Sequence, residues 1–409
     1  MPLRFLILLL LLSGCATTVT PLSPPVAPEA IPADPVAPPS PAVPGTMPPM
    51  VAAPTAPLPN PAPVPPPRWT DPRAGKALLD QVLPRQIPDR AGWSADIFKA
   101  FTALKIPYTA EYFCATSAVI EQESLWKADP PVPGLGKMVW KQIEAKANAK
   151  HIPMPLVRAA LQIKSRNGLS YAKRIDTLRT ERQMNALFEE MAAEARAMGL
   201  PVSIPNPIRT GGPMQVSVAF AEGHTQAWPY PYAYEGSVRN EVFTRRGGVY
   251  FGIAILLHYR APYRDMRYRF ADYNAGRYAS RNAAFQAALS RLSGRKLALD
   301  GDLLRYEAGR PARTRSETQL ALAKLATQLK LSQAEIDRDL RQEKASEFDQ
   351  STLYQRLFTL ADAKAGKPMP RAVFPQIRLI SPKITRKLTT EWFAKRVDGR
   401  YRACLARAQ

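Results

Sequence analysis

The chain has few of the residues that build metal, nucleotide and nucleic-acid sites. Its 409 residues include three cysteines and three histidines, and the histidines show no metal-ligand spacing. The sequence has no glycine-rich phosphate loop, no zinc pattern and no aromatic-basic RNA motif. No stretch is long and apolar enough to be a transmembrane helix. The sequence therefore predicts no metal, no cofactor and no nucleic-acid partner.

The N-terminus has the features of an export signal. Arg4 precedes an apolar run from Phe5 to Leu12, which is too short to span a bilayer and has the size of a signal-peptide core. The run ends in Leu12-Ser13-Gly14-Cys15, which resembles the processing box of bacterial lipoproteins, where the Cys receives acyl chains. Because no Asp follows Cys15, the resemblance favours the outer membrane, with its periplasmic face preferred over the cell surface. The alternative is a generic signal peptide with an incidental Cys.

A proline-rich segment separates this anchor from the rest of the chain. Residues 21–67 hold 20 of the 42 prolines, mixed with Ala and Val and with almost no charge. Because proline lacks a backbone donor, the segment predicts an extended polyproline-II tether with a reach approaching about 150 Å. We therefore expect a signal peptide over 1–14, a lipidated Cys15 with a tether over 15–68, and a globular part from residue 69.

Acidic residues are scarce beside basic ones. The chain has 34 Asp and Glu against 56 Lys and Arg, which gives a formal net charge of +22. Such a surplus usually indicates an acidic polymer or an anionic surface as partner. For an exported lipoprotein, peptidoglycan with its stem-peptide carboxylates and anionic lipid or lipopolysaccharide head groups are the best candidates. A solvated basic surface is the alternative explanation.

Helical patterns dominate the globular part, and strand-like alternation is scarce. The expected helices combine apolar residues at helical spacing with a cap or a stop signal. They run from Ser94 to before Pro107, from Thr109 to Glu123, over 178–198 and over 248–259, with capping boxes at Ser316 and Ser332. The sequence therefore predicts a mainly α fold.

Cys114 and Cys404 are the two cysteines of the globular part. In an oxidising periplasm they could form a disulfide bond, and two buried thiols are the alternative. Cys114 lies nine residues before Glu123, half a rotation away on an ideal helix. A bond to Cys404 would therefore fasten the C-terminal segment to the back of that helix.

Three short strings suggest a chemistry for this chain. They are, in order, Ile120-Glu121-Gln122-Glu123-Ser124, Gly212-Pro213-Met214-Gln215-Val216-Ser217 and Ala271-Asp272-Tyr273-Asn274-Ala275-Gly276. Together they resemble the active-site signature of the soluble lytic transglycosylases, which have the goose-lysozyme fold. The resemblance implies a lysozyme-like helical domain over 69–300 with a large insertion at about 127–210. A helical, basic C-terminal extension would follow over 301–409.

Glu123 is the carboxylate that the resemblance and the helix geometry both select as acid and base. On a helix it shares a face with Val119 and Ile120, whereas Glu121 lies about 200° away and is expected to be solvated. Apolar neighbours raise the pKa of a carboxyl group, so Glu123 would stay protonated near neutrality and could donate a proton. The alternative is an ordinary surface carboxylate at a helix end.

The resemblance assigns further residues as substrate contacts, namely Ser124, Met214, Gln215, Tyr273 and Asn274. The Gln215 amide offers a donor and an acceptor to sugar groups, and the Tyr273 hydroxyl could hold the carboxylate or the departing oxygen. Pro213 stands where the family has Leu, and Asp272 stands where it has Ala. A second match to the middle string, starting at Gly134, lacks the Gln.

The resemblance implies cleavage of peptidoglycan glycan strands with one acid and base, giving a 1,6-anhydromuramoyl product. Because the nucleophile is the C6 hydroxyl of the same sugar, no second carboxylate is required. A hydrolase would need a base for water, and Asp129 and Asp272 are the candidates. The alternative is a catalytically silent relative that binds peptidoglycan or another envelope component. A more distant option is a surface lipoprotein that acts in uptake or as a partner of a membrane complex.

Two further patterns have both a structural and a functional explanation. The aromatic segment 228–234 could be a platform for sugar stacking or part of the core. Four arginines before Tyr273 could bind stem-peptide carboxylates or simply solvate a loop; they are Arg260, Arg264, Arg267 and Arg269.

Overall fold

The computed structural model of the chain describes residues 71–199, 206–307, 309–379 and 388–409. The expected signal peptide, the lipidated Cys15 and the tether lie outside these residues. Helices make up most of the described chain, and the described strands form three short hairpins. The prediction of a mainly α fold is therefore confirmed. No helix of the described ranges has the length and apolar character needed to cross a membrane.

Three helices open the fold, and the third carries Glu123. They are α1 (Pro72–Val82), α2 (Arg90–Ala103) and α3 (Ala110–Ser124). Thr109 caps α3 by accepting a hydrogen bond from the backbone N–H of Tyr112, as the sequence predicts. Helix α2 begins before the predicted Ser94 because Asp89 caps it.

The predicted insertion is helical. It contains α4 (Leu135–Ala149), α5 (Met154–Ala160), α6 (Tyr171–Asp176) and α7 (Glu181–Ala197). Helix α7 begins with a capping box at Thr180, which shortens the predicted helix at its N-terminus. A backbone bridge between Pro131 and Thr180 brings the start of the insertion beside the start of α7. Gly134, the start of the second match, precedes α4 and forms no hairpin turn.

A hairpin and four helices follow the insertion. The hairpin pairs β1 (Thr210–Gly211) with β2 (Val216–Ser217) in antiparallel register. The helices are α8 (Val218–Ala227), α9 (Val238–Val242), α10 (Arg245–Leu257) and α11 (Met266–Ala275). Helix α10 is buried from Gly247 to Leu257 and packs against α2, as its apolar sequence predicts. It begins earlier than predicted because Thr244 caps it.

The helices that follow the three strings in sequence form a second hydrophobic core. It contains α12 (Ala279–Ser293), α13 (Glu317–Leu329), α14 (Gln333–Leu340) and α15 (Thr352–Ala365). A hairpin of β3 (Tyr306–Glu307) and β4 (Arg310–Pro311) and a 3₁₀ turn (Ser346–Gln350) connect these helices. The predicted capping boxes at Ser316 and Ser332 are both formed and are confirmed.

The last helix returns to the first core. Strands β5 (Arg378–Leu379) and β6 (Leu388–Thr389) pair, and α16 (Thr390–Leu405) follows directly. Helix α16 packs on α3 and α11 and buries Phe393, Val397 and Cys404. The C-terminal extension therefore has two parts, one in the second core and one that closes the first.

Candidate active site

Glu123 lies in the last turn of α3, where the chain leaves the helix through strained backbone. Val119 and Ile120 are fully buried on this helix, and Glu123 is partly buried. Leu125 and Trp126 have φ values of 51° and 62°. Such left-handed conformations cost a non-glycine residue about 1 kcal/mol or more. Strain of this kind persists where the surrounding structure fixes the backbone, and it is common at functional sites.

Glu121 is not simply solvated. Its Oε1 lies 3.2 Å from Nε of Arg400 in α16, and 37% of its side chain is exposed. Glu121 is thus partly exposed and also paired, because a helix from the far end of the sequence covers part of this side of α3.

The middle string forms the turn between β1 and β2. Gly212 has a φ of 73°, and a Cβ at this position would lie 2.1 Å from the carbonyl oxygen of Val242. Glycine is required there for both reasons. Pro213 packs on α10 at Gly248, where a Cβ would come within 2.5 Å of the proline ring. Pro213, which stands where the transglycosylase signature has Leu, is thus accommodated by a glycine on the neighbouring helix.

The middle and last strings meet through a hydrogen bond. The Tyr273 hydroxyl donates to the backbone oxygen of Met214 over 2.5 Å. The Met214 side chain is fully buried and packs against α10 at Gly252. Its predicted role as a substrate contact is therefore wrong for the side chain, which belongs to the core.

The first string joins the same cluster through Tyr273. Burial raises the pKa of Tyr273 well above its usual value, and the negative charge of Glu123 raises it further. Tyr273 therefore hydrogen-bonds the Met214 backbone and interacts electrostatically with Glu123, so it connects three distant parts of the chain.

Gln215 connects the insertion to this cluster. Its Nε2 donates to Oε2 of Glu181 over 2.9 Å and to the carbonyl oxygen of Gly212 over 3.3 Å. Glu181 is the first residue of α7, and the preceding Thr180 donates its hydroxyl to Asp129 over 3.0 Å. Sequence reasoning missed Glu181. The capping box that starts α7 is the signal that could have located it.

Two predicted substrate contacts are engaged elsewhere. Ser124 is 5% exposed, and its hydroxyl donates to the carbonyl oxygen of Ile120 over 2.9 Å. Asn274 accepts a hydrogen bond of 3.0 Å from Thr390 at the start of α16. Ser124 therefore closes the end of its own helix, and Asn274 anchors α16.

Gly276 ends α11 with a positive φ. Its φ is 112° and its ψ is 145°, so its backbone is outside the left-handed helical region. The positive φ still favours glycine at this position.

Asp272, one of the two candidate bases for water, lies in the interior of the fold. It is 1% exposed and accepts hydrogen bonds from the backbone N–H groups of Tyr278 and Ser280. Burial raises its pKa to about 7. Asp272 fixes the turn after α11, so its assignment as a base is wrong. Asp129 is partly exposed, and burial raises its pKa as well.

The aromatic segment 228–234 packs mainly against the fold. The Trp228 indole N–H donates to a carbonyl oxygen at the end of α2, and Tyr230 stacks on Phe251 of α10 with ring centroids 5.1 Å apart. Tyr234 is 40% exposed. The interpretation as core therefore fits most of the segment.

Two of the four arginines before Tyr273 serve the local structure. Arg269 donates to the carbonyl oxygens of Leu256 and Tyr259, and Arg267 pairs with Asp265. These two side chains cap and brace the loop between α10 and α11, so they are not free to bind stem-peptide carboxylates.

A disulfide bond joins α3 to α16. Cys114 and Cys404 form it, with their Cα atoms 5.4 Å apart. Of the two alternatives that the sequence left open, the structure contains the bond. It fixes α16 to the helix that carries Glu123.

The cluster can transfer a proton and hydrogen-bond a polar ligand. It combines a partly buried carboxylate, a tyrosine hydroxyl, an amide and a second carboxylate, namely Glu123, Tyr273, Gln215 and Glu181. In the part of the chain that the structure describes, no group of three or more His, Cys, Asp or Glu side chains could hold a metal ion. A carboxyl group and a hydroxyl group of this kind can take part in acid–base chemistry.

Comparisons with known proteins place the chain in a family. Residues 86–407 match the family described as Protein of unknown function (DUF1615). The chain is 48% identical over 329 residues to Uncharacterized protein YaiW of Escherichia coli (strain K12), covering 80% of this chain and 89% of that relative. No solved structure matches. The family match includes the three strings, the insertion and α16. The chain therefore belongs to the DUF1615 family.

Proposed function

We propose that this protein is a lipid-anchored envelope protein that cleaves peptidoglycan glycan strands by a lytic transglycosylase mechanism. The proposal includes a lysozyme-like arrangement of the first core, to which the insertion and α16 are additions. The observation that carries it is the meeting of Glu123, the Met214 backbone and Tyr273. Glu123 belongs to the first string, Met214 to the second and Tyr273 to the third, in the order that the transglycosylase signature has.

The proposed reaction uses Glu123 first as an acid and then as a base. Its carboxyl proton goes to the oxygen that bridges muramoyl C1 and the next glucosamine, and the bond from C1 to that oxygen breaks. The muramoyl acetamide stabilises the cation that develops at C1. The Glu123 carboxylate then takes the proton of the C6 hydroxyl as its oxygen bonds to C1. This leaves a 1,6-anhydro end and restores the acid.

Tyr273 is the proposed positioning residue for this carboxyl group. Because its pKa is raised, its hydroxyl stays protonated at physiological pH and acts as a hydrogen-bond donor. The bond to the Met214 carbonyl oxygen uses this proton and fixes the ring. The hydroxyl oxygen is then left to accept from the protonated Glu123 carboxyl group before the first proton transfer.

Charge and export support peptidoglycan as the substrate. The net charge of +22 attracts the carboxylates of the stem peptides. The proposed signal peptide and acylated Cys15 would deliver the protein to the outer membrane, with the domain on its periplasmic side. The tether would let the domain reach the cell wall while it stays anchored.

A second candidate function is favoured by the contact between Gln215 and the insertion. The donor side of this amide is already used by Glu181 and Gly212. An amide held by the protein has less freedom to follow a substrate through a reaction. The alternative is therefore a catalytically silent protein that binds peptidoglycan or another envelope component at the same site.

Digestion of purified sacculi tests the proposal. The wild-type protein should release 1,6-anhydromuropeptides, and Glu123→Gln should release them about 100-fold more slowly or not at all, because it cannot donate the proton. Glu121→Gln is the matched control on the same helix and should keep full activity.

The outcomes separate the candidate functions. Equal release by wild type and Glu123→Gln would show that Glu123 is the wrong residue. The absence of product from the wild type would refute cleavage. Retention of the protein on sacculi without product would support the binding function.

A further inference from the structure

The amide of Gln215 has one orientation that its surroundings permit. Both of its hydrogen bonds leave from Nε2, one to the Glu181 carboxylate and one to the Gly212 carbonyl oxygen. Rotating the amide by half a turn would bring Oε1 against these two acceptors and would lose both bonds. Within the described residues, Oε1 is therefore the atom of this amide that remains for a ligand.

The backbone holds Gln215 where this pairing requires it. Its φ is 52°, a left-handed conformation for a non-glycine residue, and its N–H donates to the Gly212 carbonyl oxygen over 3.1 Å. The neighbouring Met214 is fully buried, so the turn cannot rotate to release the strain. A strained residue of this kind persists where the surrounding structure over-determines its position.

Glu181 is held independently from the side of the insertion. It begins α7 directly after the Thr180 capping box. Asn185, one turn further along α7, donates to Asn240 over 3.4 Å and accepts from Asn206 over 2.9 Å. These bonds tie α7 to the chain before and after the hairpin, so Glu181 has a fixed position beside Gln215.

We propose that Glu181 is a positioning residue that makes Gln215 a hydrogen-bond acceptor toward the substrate. By holding Nε2, the carboxylate leaves Oε1 to accept from a donor on the ligand. The substrate group that fits is the N–H of a sugar acetamide or a sugar hydroxyl, and a carbonyl or carboxylate oxygen is rejected. This assignment replaces the expectation that Gln215 offers both a donor and an acceptor. It rests on the proposed function, because it takes the ligand to be a glycan.

The insertion thereby acquires a role. It supplies Glu181, which determines whether Nε2 or Oε1 of the Gln215 amide faces the ligand. Within the strings, only the Gly212 carbonyl oxygen favours this orientation, over 3.3 Å, and Glu181 adds a second, closer acceptor over 2.9 Å.

Glycan affinity measured without turnover tests this inference. The mature chain carrying Glu123→Gln is titrated with soluble, uncrosslinked peptidoglycan strands, and binding is followed by calorimetry. Adding Glu181→Gln lets the amide pair in either direction, so Gln215 loses its fixed orientation. We expect binding about 5- to 10-fold weaker, which is the effect of losing one neutral hydrogen bond. The unfolding midpoint should stay unchanged, because the two side chains can still pair.

An exchange of the two side chains provides the rescue. Combining Glu181→Gln with Gln215→Glu keeps a hydrogen bond between the positions and again puts only acceptor atoms at position 215. Affinity should recover above that of Gln215→Glu alone, which places two carboxylates together and should bind worst. The recovery should be partial, because a carboxylate at position 215 cannot donate to the Gly212 carbonyl oxygen. Glu194→Gln is the matched control on α7, because its carboxylate accepts from Tyr171 and has no contact with Gln215. It should leave glycan affinity unchanged.

The results distinguish this inference from the proposed cleavage. Equal affinity with and without Glu181→Gln overturns the inference and leaves cleavage unaffected. A failed rescue by the exchanged pair also overturns it, because the orientation of the amide would then be irrelevant. If the wild type makes no anhydro product but glycan binding depends on Glu181, the inference stands and cleavage falls. If no glycan binds at all, both fall.

Discussion

Helix α16 and the insertion both contact the candidate site from outside the three strings, and they are attached to it in different ways. Helix α16 is joined to α3 by the bond between Cys114 and Cys404 and packs on α3 and α11. The insertion reaches the site through the hydrogen bond from Gln215 to Glu181. The first attachment includes a covalent bond. The second has none: it reaches the Gln215 side chain through a polar contact, and its apolar side chains, such as Ile143 and Phe188, pack in the first core.

The difference assigns a separate task to each part. A covalent bond and buried side chains contribute stability but have little influence on which atom faces a ligand. A single hydrogen bond contributes little stability and can still decide the orientation of an amide. We therefore expect that changes in α16 alter the stability of the domain, and that changes at Glu181 alter ligand binding.

The largest effect should follow from breaking the disulfide bond. Cys114→Ala combined with Cys404→Ala removes a cross-link between residues 290 positions apart in sequence. The free energy of unfolding should fall by about 3–5 kcal/mol, because the unfolded chain gains conformational freedom. Urea unfolding measures this loss. The unfolding midpoint of the wild type in reductant should match that of the double variant without reductant. A wild type whose midpoint does not respond to reductant would contradict the expectation.

A smaller loss of stability is expected from alanine at Gly212 in the hairpin, and alanine at Gly134 before α4 is the comparison. Gly212→Ala adds a Cβ 2.1 Å from the Val242 carbonyl oxygen at a φ of 73°, whereas Gly134→Ala adds one at a φ of 69° with no atom within 4 Å. The first variant should lose about 2–4 kcal/mol of unfolding free energy and the second about 1 kcal/mol. Both have the left-handed conformation, so their difference isolates the steric contact. Equal losses in urea unfolding would show that the turn can move away from α9.

The elements with local signals were predictable from the sequence. Thr109 caps α3 as expected because a cap acts on its own first turn, and α10 is buried from Gly247 onward because its sequence there is almost wholly apolar. The resemblance to transglycosylases also predicts that Glu123 and Tyr273 belong to one site, and this stays a prediction. These predictions needed only neighbouring residues or a known order of motifs.

The contacts that were missed are long-range. The pairing of Gln215 with Glu181 depends on how the insertion folds back, and no periodicity records it. Met214 matched the motif by letter, but the sequence could not show that Gly252 opens a place for its side chain in the core. Glu121 was expected in solvent because its helix was considered without α16.

The smallest effect should come from the ion pair that also joins α3 to α16. Arg400 lies 3.2 Å from Glu121, but its Nε makes no hydrogen bond in the described structure, so the geometry of the pair is poor. Arg400→Met keeps the apolar stem and removes the charge. The free energy of unfolding should fall by less than about 1 kcal/mol, as for other partly exposed pairs.

The same substitution in the variant without the disulfide decides what fastens α16. If the covalent bond and the buried side chains hold the helix, the two losses should add within about 0.5 kcal/mol. A much larger loss from Arg400→Met, or strong coupling between the two changes, would mean that the ion pair holds α16 in register. The contrast between α16, which a disulfide bond fastens, and the insertion, which meets Gln215 through Glu181, would then fail. Helix α16 would also depend on a single polar contact.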